Sequence, residues 1–72
     1  MQQSHQLVWD EKIDLDIKID NLKQFMQSEL YGTLPQDEQH RLSMQLIYMK
    51  QYSAVLGQRI NHFIDTDATW LS

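Results

Sequence analysis

Apolar residues recur at helical spacing in two long segments of the chain. In the first segment, Val8, Leu15 and Leu22 fall seven residues apart, a repeat that turns one side of an α-helix toward a neighbouring helix. Ile13 and Ile17 lie nearly opposite that side, because a helix turns about 100° per residue. The first segment therefore carries two apolar stripes.

The second segment has the same double pattern. Leu42, Met49, Leu56 and Phe63 also recur every seven residues, which predicts a second helix facing the first. Further apolar side chains fall on the opposite side of this helix. They are Met44, Ile47, Tyr48 and Val55.

A short turn connects the two segments. Gly32 is expected to end the first helix in the left-handed conformation that glycine tolerates. Pro35 suits the first turn of the second helix, and Asp37 and Glu38 follow where the helix dipole favours acids. The predicted elements are a helix over about 5–29, a turn at 30–35, a helix over about 36–64 and a tail at 65–72.

These elements predict one all-α domain over residues 1–72, built as an antiparallel two-helix hairpin. One stripe on each helix closes the hairpin, so the second stripe needs another partner. A lone core in a chain of 72 residues is only marginally stable, and the absence of cysteine excludes disulfides as a further stabiliser. We therefore expect hairpins to assemble into an oligomeric helical bundle. The residues expected at its interfaces are Ile13, Ile17, Tyr31, Met44, Tyr48, Val55 and Trp70.

Charge is distributed unevenly along the chain, whose formal net charge is −4. Residues 10–20 hold five acids against two lysines, one of which, Lys12, interrupts the apolar repeat. Residues 39–64 hold three basic residues and no acid. The helices could simply complement each other electrostatically, or the second could keep a positive face for an anionic ligand.

Arg41, Tyr48, Tyr52 and Arg59 form the most suggestive group. They fall within about 40° of each other on a helix. Arginine presents a planar fork that suits phosphate, and tyrosine presents a ring on which a base can stack. They are the candidate ligand-binding residues. The alternative is that the tyrosines belong to an interface and the arginines pair with acids of the first helix.

No motif indicates an enzyme, and no catalytic residue is assigned. The sequence has no glycine-rich phosphate loop and no serine–histidine–acid arrangement. His5, His40 and His62 are far apart and lack ligand spacing, so neither a metal site nor a cofactor is expected. No apolar run approaches the ~18 residues of a membrane span, and the N-terminus lacks a signal-peptide pattern. These features favour a cytoplasmic protein.

The order of motifs over residues 11–60 resembles a known family. The resemblance rests on two groups of residues, one in each predicted helical segment and its flanking turn. The first group is Glu11, Lys12, Leu15, Lys18, Ile19, Leu22 and Phe25. The second is Leu34, Glu38, Gln39, Gln45, Leu46, Met49, Tyr52, Ser53, Leu56, Arg59 and Ile60. The chain is similar to very short phage and prophage helical-hairpin proteins first named from crAss-like phages. More distantly, it resembles the hairpins of phage anti-CBASS and anti-Thoeris sponges.

The resemblance implies a phage or prophage accessory protein acting against defence in the cytoplasm of a bacterial host. Those sponges sequester cyclic-nucleotide immune signals between subunits, so the implied partners are other copies of the chain and a small anionic nucleotide. The alternative is an inhibitor that binds a host defence protein or a phage enzyme, in the manner of an anti-CRISPR or a DNA mimic. Nucleic acid and membrane are not expected as partners.

Overall fold

The computed structural model describes the backbone of residues 3–68 and the side chains of residues 5–64. It contains two long helices, α1 (Gln3–Met26) and α3 (Gln36–Ala68), joined through a single-turn helix, α2 (Glu29–Gly32). The prediction of an all-α protein is confirmed. The second long helix continues four residues beyond its predicted end, whereas the first ends three residues earlier than predicted.

The first helix ends early because Ser28 interrupts it. The N–H of Gln27 bonds to the carbonyl of Gln24 at 3.1 Å, which tightens the last turn of α1. The Ser28 hydroxyl donates to the Phe25 carbonyl at 2.6 Å and accepts from the N–H of Tyr31 at 3.4 Å. One serine side chain therefore serves both the end of α1 and the start of α2.

Gly32 does not adopt the left-handed conformation that the sequence predicted. No glycine in the described residues has positive φ, and Gly32 is instead the last residue of α2. Thr33 caps this helix: its N–H bonds to the Leu30 carbonyl at 3.0 Å, and its hydroxyl donates to the same oxygen at 2.6 Å. Thr33 thus ends the helix with its side chain, in place of the left-handed backbone conformation expected at Gly32.

Tyr31 anchors the connection to α3. Its ring meets Phe25 edge-on, with ring centroids 6.2 Å apart, and its hydroxyl donates to the Gln39 carbonyl at 3.1 Å. The same hydroxyl lies 3.3 Å from the Ser43 hydroxyl oxygen. These contacts hold the end of α1 against the first turns of α3.

Contacts between α1 and α3 run in opposite order along the two helices. Near the start of α1, Val8 is buried together with Leu56 and Ile60. Further along α1, Lys12 contacts Ser53, which comes earlier in α3. The molecule is accordingly long and thin, measuring 56 × 16 × 14 Å.

Lys12, which interrupts the apolar repeat, belongs to a polar layer between the helices. Its ammonium donates to the Ser53 hydroxyl at 2.8 Å and pairs with Asp16 at 3.0 Å. The Ser53 hydroxyl in turn donates to the Asp16 carboxylate, so all three side chains are joined. The hydrogen bonds from Ser53 and then Lys12 hold the pKa of Asp16 below its ordinary value.

The described apolar side chains range from buried to exposed. Leu56 of the predicted repeat is buried, as are Ser53 and Ile60, whereas Ile13 and Ile17 on the far side of α1 are exposed. Within residues 5–64, three apolar side chains are buried, and nine large ones are exposed. The exposed ones are Leu7, Ile13, Ile17, Leu30, Ile47, Tyr48, Tyr52, Val55 and Ile64.

The described helices include none with the length and apolar character needed to cross a membrane.

Candidate functional site

An open groove of about 600 Å³ runs along α3 and contains most of the predicted ligand-binding residues. Its surface is chiefly apolar and aromatic. Arg41, Tyr48 and Tyr52 line it, and Arg59 does not. Its full lining is His40, Arg41, Met44, Gln45, Tyr48, Met49 and Tyr52.

Arg41 is already paired in this chain. Its guanidinium lies 3.1 Å from the Glu38 carboxylate and 3.4 Å from that of Asp37, both in the first turn of α3. The alternative considered for the arginines placed such acids on the first helix, but these lie on Arg41's own helix. The two carboxylates carry more negative charge than the guanidinium carries positive charge, so Arg41 alone does not make this end of the groove positive.

Tyr52 is tied to α1 through its hydroxyl, which donates to the Glu11 carboxylate. This hydrogen bond is the main reason why the pKa of Tyr52 is raised above its ordinary value. The hydroxyl proton is thus committed within the chain, while the side chain remains 44% exposed. Tyr52 is therefore better suited to stacking than to donating a hydrogen bond to a phosphate.

Tyr48 is the more accessible of the two tyrosines. Its side chain is 59% exposed and lines the groove together with Met44 and Met49. An exposed ring of this size presents apolar area on which a flat ligand or a neighbouring protein surface can pack.

A second cleft, of about 310 Å³, also includes Tyr52 in its lining. It is lined by Glu11, Asp14, Leu15, Lys18 and Tyr52, and so combines two carboxylates with one lysine. The sequence patterns did not associate Glu11 with the site. That contact depends on how the two helices are aligned, which residue spacing within one helix does not reveal.

Arg59 is separated from Arg41 by the length of the helix. The two lie 18 residues apart, which corresponds to about 27 Å along an α-helix. Arg59 lies closer to Tyr52 than to Arg41. Its positive charge slightly lowers the pKa of Tyr52, although the larger effect of Glu11 raises that pKa. A ligand the size of a dinucleotide therefore cannot contact both arginines of one chain.

The residues predicted for an oligomer interface occupy different environments. Ile13, Ile17, Tyr48 and Val55 are exposed, and Met44 is half-buried in the groove. Tyr31 is half-buried by the contacts at the connection described above. Trp70 lies outside the described residues.

The histidines do not converge. His5 stacks on Phe63, with ring centroids 3.9 Å apart, whereas His40 lines the groove. Among the described residues, no three side chains of histidine, cysteine, aspartate or glutamate are grouped so as to hold a metal ion.

The fold and the groove together define the class: a small all-helical protein whose long helix presents an aromatic, largely apolar groove. A family model matches residues 4–62, and the chain belongs to the Sequestin family. No curated protein and no solved structure matches the chain.

Proposed function

We propose that this protein is a phage- or prophage-encoded counter-defence protein that sequesters a cyclic-nucleotide immune signal in the cytoplasm of the bacterial host. It acts by binding, without catalysis. The name of its family denotes sequestration, and the resemblance to phage sponges supports a nucleotide as the bound molecule.

The observation that carries this proposal is the groove along α3. It brings together the exposed Tyr48 and Tyr52 side chains, on which bases can stack, and the Arg41 guanidinium, which suits a phosphate. Its volume of about 600 Å³ falls within the range of small-molecule sites.

Assembly is part of the proposed mechanism. The antiparallel helix pair would be a hairpin unit, and several units would form a helical bundle with ligand sites between subunits. The small buried cluster of Val8, Leu56 and Ile60 supports this, because a core of that size leaves a single chain marginally stable. The exposed apolar residues of both helices provide surface for such contacts.

Calorimetric titration with cyclic dinucleotides, cyclic trinucleotides and cyclic ADP-ribose isomers tests the proposal. We expect at least one to bind, and we expect Tyr48→Ala to weaken that binding by about 1–3 kcal/mol, the usual contribution of one stacked base. Ile47→Ala is the matched control, since Ile47 is a similarly exposed neighbour that does not line the groove. Absence of binding across the panel at about 10 μM would refute the proposal.

The apolar lining favours a second candidate, an inhibitor whose groove receives a side chain of a host defence protein or a phage enzyme. Apolar grooves on helices commonly receive such partners. A pull-down from bacterial lysate would then recover one stoichiometric protein with the wild-type chain and lose it with Tyr48→Ala. Retention of that protein by the variant would exclude the groove as its binding surface.

A further inference from the structure

On the exposed side of α3, the intervals between successive residues are the same from either end of the series. Its residues alternate at intervals of four, three, four, three and four, and the pattern is centred on position 50. Arginines stand at its two ends and tyrosines on both sides of its centre. The residues are Arg41, Gln45, Tyr48, Tyr52, Val55 and Arg59.

We infer that α3 pairs with α3 of a second copy in antiparallel orientation, with the twofold axis at the level of position 50. Alternating steps of three and four residues are those of a coiled-coil seam. In a twofold interface each contact occurs twice with the roles exchanged, so a seam of this kind can pair with itself. Arg41 then lies opposite Arg59 of the second copy, and Tyr48 lies opposite Tyr52 of the second copy.

The orientation of the remaining residues agrees with this pairing. Lys50 lies about 180° from the middle of the seam, so the two lysines at the centre point away from each other. Leu56 and Ile60, which face α1, lie about 60–100° from the seam. The seam can therefore be covered without separating α1 from α3.

Charge selects this register among those that a heptad repeat allows. Arg41 lies beside two carboxylates, those of Asp37 and Glu38, so its surroundings are net negative. Arg59 has no acid near it within residues 39–64 of its own helix. Antiparallel pairing centred at position 50 brings Arg59 of the second copy to the level of Arg41, within a turn of those carboxylates. A shift by one heptad would move it about 10 Å away along the helix.

The groove is the surface that the second copy faces, and the proposed ligand lies in it between the two helices. The groove extends along α3 from His40 to Tyr52. Residues 48–60 of the second copy would lie along it and would bring Tyr52, Val55 and Arg59 opposite the exposed Tyr48 and the half-buried Met44. Apolar surface that is open in one chain thereby becomes shared between two.

For ligand binding, which rests on the proposed function, each site is completed in trans. Arg41 and Tyr48 come from one copy, and Tyr52 and Arg59 come from the other. This removes the difficulty that Arg41 and Arg59 of one chain stand about 27 Å apart. The pair holds two identical sites, and one ligand binds per chain.

Cysteine cross-linking tests the pairing without any ligand. The chain has no cysteine, so each introduced thiol is unique. A mixture of Gln45→Cys and Val55→Cys chains, treated with a short bismaleimide, is expected to give a cross-linked heterodimer. Each variant alone is the control and should remain largely uncross-linked, because its two copies of the thiol lie about 15 Å apart along the helices. Efficient cross-linking of each variant alone, or no cross-linking of the mixture, overturns the antiparallel pairing.

Mixing two defective variants tests the shared site. Arg41→Ala and Arg59→Ala chains are refolded separately and together, then titrated with 3′,3′-cyclic GMP–AMP and with cyclic ADP-ribose. In a mixed pair one site keeps both arginines and the other keeps neither, so about a quarter of all sites should regain wild-type affinity. A mixture that binds no better than its components overturns the trans site. Failure of the wild-type chain to bind either probe refutes it as well, while the cross-linking result still decides the pairing.

Discussion

Ser53 has an unusual place among the residues of this protein, because its buried polar side chain lies in the apolar contact between α1 and α3. It joins α3 to α1 by accepting from Lys12 and donating to Asp16. A polar layer of this kind restricts the register of two helices, since a slip along the seam would leave the buried hydroxyl without a partner.

Replacing Ser53 by alanine should therefore destabilise the fold. We expect Ser53→Ala to lower the free energy of unfolding by about 1 kcal/mol, because both hydrogen bonds across the helices are lost. Gln58→Ala, at an exposed position of the same helix, should change it by less than about 0.5 kcal/mol. Urea unfolding followed by circular dichroism at one protein concentration measures both, and equal effects would contradict a role for the polar layer.

The polar layer should also make stability depend on pH in the acid range. The pKa of Asp16 is lowered in the folded state, so the unfolded state binds more protons as the pH falls. Its contribution is present above the ordinary pKa of 3.8 and is lost as the pH falls through the lower, folded value. Asp16→Asn should remove this part of the acid sensitivity. An unchanged difference between the unfolding free energies at pH 6 and pH 3 would argue against it.

At the level of elements, the two long helices and the start of the second at Gln36 were predictable, whereas their C-terminal ends were not. The apolar repeat through Val8, Leu15 and Leu22 marks a helix strongly because one side must be covered. Ser28 is compatible with a helix interior and with a cap, and only its contacts with Phe25 and Tyr31 decide between them. The sequence placed Arg41, Tyr48 and Tyr52 on one side of α3, where all three line the groove. The contact between Glu11 and Tyr52 was not predictable in this way, because it depends on the alignment of two helices.

Substitution of the two glycines tests whether both have the helical conformation that the structure gives them. Gly57→Ala should raise the free energy of unfolding by up to about 1 kcal/mol, since alanine favours helix. Its added methyl would meet only Lys12 Cε, at an ordinary contact distance of 3.6 Å. Gly32→Ala should cause no loss, because no atom lies within 4 Å of the added carbon and its φ is not positive. Destabilisation of about 1 kcal/mol at Gly32 would indicate a left-handed residue after all.

At the scale of the whole molecule, the dominant feature is the imbalance between buried and exposed apolar side chains. A core of Val8, Leu56 and Ile60 is small for a helix pair 56 Å long. The sequence predicted this imbalance because each helix has two stripes and the chain has only two long helices.

Thermal stability should accordingly depend on protein concentration. If assembly stabilises the fold, the midpoint of thermal unfolding should rise by several degrees over a hundredfold increase in concentration. Circular dichroism melts, with light scattering to give the mass, provide the measurement. A concentration-independent midpoint together with the 8.6 kDa mass of one chain would contradict assembly.

The opposite order of contacts along α1 and α3 has a consequence for how fast the chain folds. Partners are 8 residues apart at Tyr31 and Gln39, but 41 apart at Lys12 and Ser53. Closing the short loop costs the least entropy, so we expect the connection to form first and the contacts between the helices to extend away from it afterwards. Weakening the connection, as in Tyr31→Phe, should slow folding, whereas trimming Ile60 to valine should mainly accelerate unfolding.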